Sequence, residues 1–371
     1  MKFNFTEEQE QFREVLKRFL ESKAPTAATR KLMETDLGFD AEIWKQMGAE
    51  LALTALHVPE NYGGAGFGVS ELAIAAEEMG RALAPSPFFA STVMATTAIL
   101  QGGDDAQKQA LLPGLASGET IATLAAAEPG GGWMNDDIKM QATADGEGYR
   151  LSGAKSFVLD GMAADLLVVA ARMPNGGVGL FTLPADAAGV RRTPLNSMDQ
   201  TRKLARIDFD GAQASLLAGA PGEAAYETTL DVALICLANE MAGGAERLRE
   251  DALEYVAMRM QFGRSIASFQ VTKHKAAEML LDVELCKTAA YYAAAAFDDG
   301  DADARAVASL AKASASDAYM QTAVHAVQMH GGIGFTADND TQLWFKRAKS
   351  SEVFLGDAHL HRERLLRCWS E

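Results

Sequence analysis

Tyr149-Arg-Leu-Ser-Gly-Ala-Lys-Ser-Phe-Val158 is a β-type run in a chain whose two ends are both helical in pattern. Similar short runs surround it at 120–126, 138–144, 166–171, 179–183 and 203–209, divided by Gly, Asp, Asn and Pro. Six or seven strands at this spacing predict a small β-barrel or sandwich over residues 118–219. No helical pattern lies between them to act as a crossover in a parallel sheet.

On the N-terminal side, residues 5–22 set Phe12, Val15, Leu16, Phe19 and Leu20 at helical spacing, and Thr6 with Gln9 can form a capping box. A polar loop follows, then helical patterns at 42–53, 68–83, 91–100 and 106–116, with turn chemistry over 57–67. Residues 1–117 are therefore expected to form a helical domain. On the C-terminal side four long helical segments, 224–260, 271–297, 303–329 and 341–369, have apolar faces and short connections. That pattern predicts an antiparallel four-helix bundle over 220–371. The fold class is α+β and multi-domain.

The 371 residues, 48% of them hydrophobic, suffice for the cores of two or three domains. Fifty acidic residues against 34 basic ones give a net charge of −16, which argues against nucleic acid as a partner. An anionic ligand would need locally placed arginines or helix N-termini. Cys236, Cys286 and Cys368 are far apart and lack metal-ligand spacing, so they read as reduced thiols and no metal site is expected. The charged N-terminus and the lack of any long apolar run predict a soluble, cytoplasmic protein with no membrane partner.

Between two helical patterns lies Gln328-Met-His-Gly-Gly-Ile-Gly-Phe-Thr336, followed by Phe354-Leu-Gly-Asp-Ala-His-Leu-His361. Glycines lacking Cβ let backbone N–H groups approach a phosphate or carbonyl oxygen closely. Three further stretches keep it company: Ala127-Glu-Pro-Gly-Gly-Gly132, Leu151-Ser-Gly-Ala-Lys-Ser-Phe-Val-Leu-Asp-Gly161 and Arg259-Met-Gln-Phe-Gly-Arg-Ser-Ile-Ala-Ser-Phe-Gln270. Together, in this order and within an α, β-barrel, α-bundle arrangement, the four resemble the motifs of the FAD-dependent acyl-CoA dehydrogenase family over essentially the whole chain.

The resemblance implies oxidation of the Cα–Cβ bond of an acyl-CoA thioester to the 2-enoyl-CoA, with electrons passed to an electron-transfer flavoprotein. Such chemistry needs an oxidant against Cβ, a base at Cα and donors on the thioester oxygen. By family position, Arg259 would meet the FAD pyrophosphate of a neighbouring subunit, a contact suited to its planar fork. Phe262 would pack on the cofactor, and Gln261 and Gln270 would hydrogen bond to it. Gln328, Gly331 and Gly332 would take its adenosine diphosphate end across the subunit boundary, so a homo- or hetero-oligomer, a dimer of dimers, is implied. Phe157 falls where an aromatic covers the flavin ring. Ala127, Trp133 and Leu159 stand where the family has flavin-bonding Thr, Ser and Thr.

The expected base is absent. The family's usual Glu position is Leu355 here, and the alternative position on the first bundle helix is Ala233. Seven residues on, Glu240 interrupts an apolar face, and a buried lone Glu is costly unless it has a partner or a task. It resembles the base of bacterial members that act on bulky acyl chains, including steroid side-chain thioesters. Its competing role is a structural ion pair with Lys273 or His274. Asp357 is the second candidate base, with helix capping or an FAD contact as its alternatives. His330 is expected to be structural or a loop contact rather than catalytic. The missing base also fits a non-catalytic or half-site subunit that completes the FAD site of a paralogue in an α2β2 assembly. A third reading is another flavin oxidation, as in nitroalkane- and amine-oxidising relatives.

Overall fold

In the computed structural model, which describes residues 5–146 and 148–370, the chain forms two compact units. The first comprises the chain up to Arg30, Ala73–Ala84 and everything from Leu234 onward. The second comprises Lys31–Leu72 and Pro85–Ala233. The N-terminal helical segment is thus divided between them.

In the first unit, α1 (Glu7–Lys23) begins at the expected capping box. Thr6 Oγ1 accepts from the Gln9 N–H at 3.2 Å, and Gln9 Oε1 accepts from the Thr6 N–H at 2.9 Å. The polar stretch after it holds a short helix, α2 (Thr26–Leu32), that periodicity misses over seven residues. The last turns of α4 (Val69–Ala82) cross α7 (Gly222–Met258) at two glycines. A Cβ on Gly80 would lie 1.9 Å from the Glu240 carbonyl oxygen, and one on Gly243 would lie 2.0 Å from that of Glu77. Only glycine permits this approach. The bundle continues with α8 (Gln270–Asp298) and α9 (Ala304–His330). The buried face of α9 is mostly Ala and Ser, which allows close helix contacts on both sides.

The last expected helix is two. α10 (Thr341–Val353) and α11 (Ala358–Ser370) are separated by a break at which Leu355 has φ 60° and Gly356 φ 105°. Left-handed residues end a helix, so the bundle has five helices where four were expected.

In the second unit, α3 (Ala41–Leu51) is capped by Asp40, whose Oδ1 accepts from the Glu42 and Ile43 N–H groups. The helix expected at 91–100 is a buried π-helical segment, Phe88–Ala95, running into α5 (Thr96–Gly102), and α6 (Asp105–Ala116) follows. The strands are β1 (Ala122–Ala125), β2 (Gln141–Asp145), β3 (Gly148–Leu159), β4 (Leu166–Arg172), β5 (Val178–Pro184), β6 (Val190–Leu195) and β7 (Leu204–Leu216). Strands β4, β2, β3, β7 and β5 pair in a closed ring, with β1 added to β4 and β6 to β7. A closed ring leaves few free edges, and its core holds Leu151, Val158, Leu167, Val169, Phe181, Ile207 and Phe209. The barrel expectation holds, with two corrections. β6 is an added strand, and β1 runs parallel to β4 without a crossover helix, because the β2–β3 hairpin makes the connection.

Candidate functional site

Glu240 lies on the buried face of α7, and it is paired. Arg347 on α10 donates from Nη1 to Glu240 Oε1 at 3.0 Å, and both side chains are 7% exposed. The partner is neither Lys273 nor His274. Arg347 sits among Leu343, Trp344, Ala348 and Ser351 on the buried stripe of α10. The Trp344 indole in turn donates to the Gly80 carbonyl at 3.3 Å. Glu240, the first candidate base, is thus engaged in a buried structural ion pair, the competing role weighed for it, but with a different partner. Asp357, the second candidate base, takes the capping role weighed against it. Its Oδ1 accepts from the Leu360 N–H at 2.9 Å, which is an N-cap of α11.

The break between α10 and α11 is firmly held. Leu355 is fully buried, and His361 Nε2 donates to its carbonyl at 3.0 Å. Burial pushes the His361 imidazole down to about 3, so the ring is neutral. The buried Lys312 ammonium donates to the carbonyls of Glu352 at 3.1 Å and Gly356 at 2.9 Å, and to Ser316 Oγ at 2.8 Å. Among the described residues the Leu355 N–H meets no acceptor. A buried backbone donor without a partner is rare.

The residues expected at the dinucleotide lie at one end of the same unit. Arg259, Gln261, Phe262 and Gln270 are all exposed, on or beside a hairpin of β8 (Met260–Gln261) and β9 (Arg264–Ser265). Phe262 is 91% exposed with φ 53°. Gln328, Gly331 and Gly332 are also exposed, at the C-terminus of α9. A Cβ on either glycine would meet nothing within 4 Å. The two groups are brought together by Tyr255 on α7, whose ring stacks on His330 at 4.5 Å. His330 is structural, its Nδ1 meeting the Ala326 carbonyl at 2.8 Å.

In the second unit Phe157 stands out of the barrel wall. Lys155 pairs with Ile207 but Val158 with Ala205, so β3 carries one extra residue there. The bulge gives Phe157 a φ of 58° and leaves it 40% exposed between buried neighbours. A left-handed aromatic is a strained residue, and such strain clusters at ligand sites. Ala127 and Leu159 are corrected: both side chains are buried. Their carbonyls are taken by the Ser156 N–H at 2.8 Å and by Thr123 Oγ1 at 2.6 Å. Trp133 is buried too, its carbonyl accepting from Tyr226 at 2.7 Å.

Within the first unit the hairpin and the glycine turn leave exposed side chains and bare backbone that could meet a dinucleotide, and within the second Phe157 leaves an exposed ring. The side chains of Ala127, Leu159 and Trp133 are buried and do not add to that surface. Sequence reasoning overlooked Arg347, Lys312, His361 and Lys155. The signal for Arg347 was there: it falls three and four residues after Trp344 and Leu343 on one stripe.

Family models describe three parts of the chain: acyl-CoA dehydrogenase N-terminal domain over residues 6–119, middle domain over 123–211 and C-terminal domain over 222–368. The acyl-CoA dehydrogenase IpdE2 of Mycobacterium tuberculosis is 32% identical over 365 residues, covering 98% of this chain and 97% of that protein. Among solved structures, the Tcur3481-Tcur3483 steroid ACAD matches with a TM-score of 0.90 and 30% identity, over 98% of each chain. The ChsE4-ChsE5 complex from Mycobacterium tuberculosis matches with a TM-score of 0.90 and 27% identity, over 100% of this chain and 99% of that one.

Proposed function

Because the chain belongs to the acyl-CoA dehydrogenase family of FAD-dependent oxidoreductases, we propose that it oxidises the Cα–Cβ bond of an acyl-CoA to the 2-enoyl-CoA and delivers electrons to an electron-transfer flavoprotein. The observation that carries this reading is Leu355. A carboxylate is missing there, yet the backbone keeps a buried, left-handed turn and an N–H with no acceptor among the described residues. That donor suits a thioester oxygen, on which negative charge grows as a base, for which Glu240 is this chain's first candidate and Asp357 its second, takes the Cα proton. Bound FAD would supply the acceptor for the hydride from Cβ. Arg259 would neutralise its pyrophosphate, Phe262 and Phe157 would pack on it, and Gly331 and Gly332 would let backbone approach its adenosine diphosphate end.

The carboxylates support a second reading. Glu240 is tied to Arg347 and Asp357 caps α11. A chain whose two candidate carboxylates are both engaged suits a half-site subunit of an α2β2 enzyme, and two of the matched structures carry paired names, Tcur3481-Tcur3483 and ChsE4-ChsE5. Expression alone and together with a paralogous chain separates the two. A yellow protein alone, bleached by an acyl-CoA, supports the self-sufficient enzyme. Bleaching only in the paired assembly supports the half-site, and a colourless protein in both cases refutes the flavin reading.

A further inference from the structure

Lys155 is fully buried in the barrel wall, a costly place for an ammonium. It donates to the Ala126 carbonyl at 2.8 Å and to Glu128 Oε1 at 3.0 Å. The same carboxylate oxygen accepts from the Lys139 and Met140 N–H groups, both at 2.7 Å. One carboxylate thereby joins the loop after β1, the start of β2 and the middle of β3. The adjacent Ser156 turns its N–H away from the β7 ladder and donates to the Ala127 carbonyl. Phe157 comes next, at the left-handed bulge. Nothing in the family-level chemistry uses this lysine, since it touches neither thioester nor proton.

We propose that Lys155 is a positioning residue: clamped between Ala126 and Glu128, it locks the loop at 126–128 to the bulge that presents Phe157, and so sets how tightly the protein holds its flavin. The proposal rests on the flavin reading of Phe157. It explains why a left-handed phenylalanine persists. The extra residue in β3 costs ladder bonds, and the clamp offsets that loss by holding loop and bulge in one geometry. Ala127 then contributes through its carbonyl, which anchors Ser156, although its own side chain is buried.

The clamp is also sensitive to pH. Burial pushes the Lys155 ammonium down to about 8, against the pull of Glu128, the one charged group acting on it among the described residues. For Glu128 burial acts upward, yet the Met140 N–H, the Lys155 charge and the Lys139 N–H hold its carboxyl below the ordinary value. The ion pair is therefore complete at neutral pH and lost as pH rises past about 8.

The test uses whichever assembly carries FAD, with affinity read by flavin fluorescence between about pH 7 and about pH 9.5. In the wild type, affinity falls as pH rises. In Lys155→Met it is weaker at neutral pH by about tenfold, the scale of one charge-assisted hydrogen bond, and flat across the range. In Glu128→Gln the fall moves to lower pH, because the ammonium loses the charge that supported it. A purely structural lysine would not move that midpoint. Hydrogen exchange on the FAD-free protein gives a second readout: Lys155→Met speeds exchange at the Ser156 amide and over 126–128. Wild-type affinity and pH profile in Lys155→Met, or unchanged exchange, overturns the clamp. Absence of FAD binding in the wild type overturns the flavin reading and the affinity claim with it, while the exchange comparison still decides whether Lys155 holds the loop to the bulge.

Discussion

Glu240 and Arg347 make the residue-scale argument. A carboxylate on an otherwise apolar helix face invites a catalytic assignment, but its chemistry depends on what faces it. Here a guanidinium with the same low exposure faces it at 3.0 Å. Removing one member leaves the other charged and buried, which costs about 3–5 kcal/mol, whereas replacing both with apolar residues of similar volume is often neutral or stabilising. Glu240→Ala is therefore expected to lower unfolding stability by roughly that amount, and the double variant Glu240→Met with Arg347→Met to recover most of it. Denaturant melts of the wild type, Glu240→Ala and the double variant test the coupling. A stable Glu240→Gln variant that keeps FAD but is no longer bleached by acyl-CoA would instead restore Glu240 as the base.

At the scale of elements, the break between α10 and α11 is a left-handed turn held by buried side chains. Leu355 and Gly356 adopt left-handed conformations, and two buried side chains, His361 and Lys312, hold their carbonyls. Neutral His361 makes this brace pH-dependent. Its folded value is about 3 against an ordinary 6.5, so as pH falls the unfolded chain takes up the proton first. Its contribution is whole above about 6.5 and is lost as pH drops toward 3, at up to about 1.4 kcal/mol per unit. The half-buried His57, pushed by desolvation down to about 4, acts in the same direction in the other unit. Stability against urea should decline less steeply with acid in His361→Asn than in the wild type; equal slopes would show that the imidazole is protonated in the fold. None of this was legible from periodicity. A helical pattern runs unbroken through 341–369 in sequence, and only the φ values show the break. The bulge at Phe157 was invisible for a similar reason, since one extra residue changes pairing without changing composition. The large elements were legible, because amphipathic helices of 27 residues or more and apolar strands carry their period in the sequence.

At the scale of the whole molecule, what stays uncovered becomes informative. Along α8, Val271, Leu281 and Leu285 are 63%, 60% and 58% exposed, and Phe262 and Phe335 stand nearly free beside the glycine turn. Scattered apolar residues on a surface need no explanation, but several on one long helix are what a surface covered by another chain would present. The net charge of −16 opposes non-specific self-association, so burial of this apolar face has to provide the attraction. Burying a leucine contributes about 1.5–3 kcal/mol, and symmetry repeats each contact. Substituting both Leu281 and Leu285 with glutamate should therefore break the assembly while leaving the protomer folded, since neither side chain lies in the bundle core. Light scattering at micromolar concentration would then report a smaller species with unchanged helical circular dichroism. FAD affinity should fall with it, because Arg259, Gln328 and the two glycines would lose the neighbouring subunit they are proposed to serve. A double variant that keeps both its mass and its flavin would show that α8 faces solvent and that each chain holds its cofactor alone.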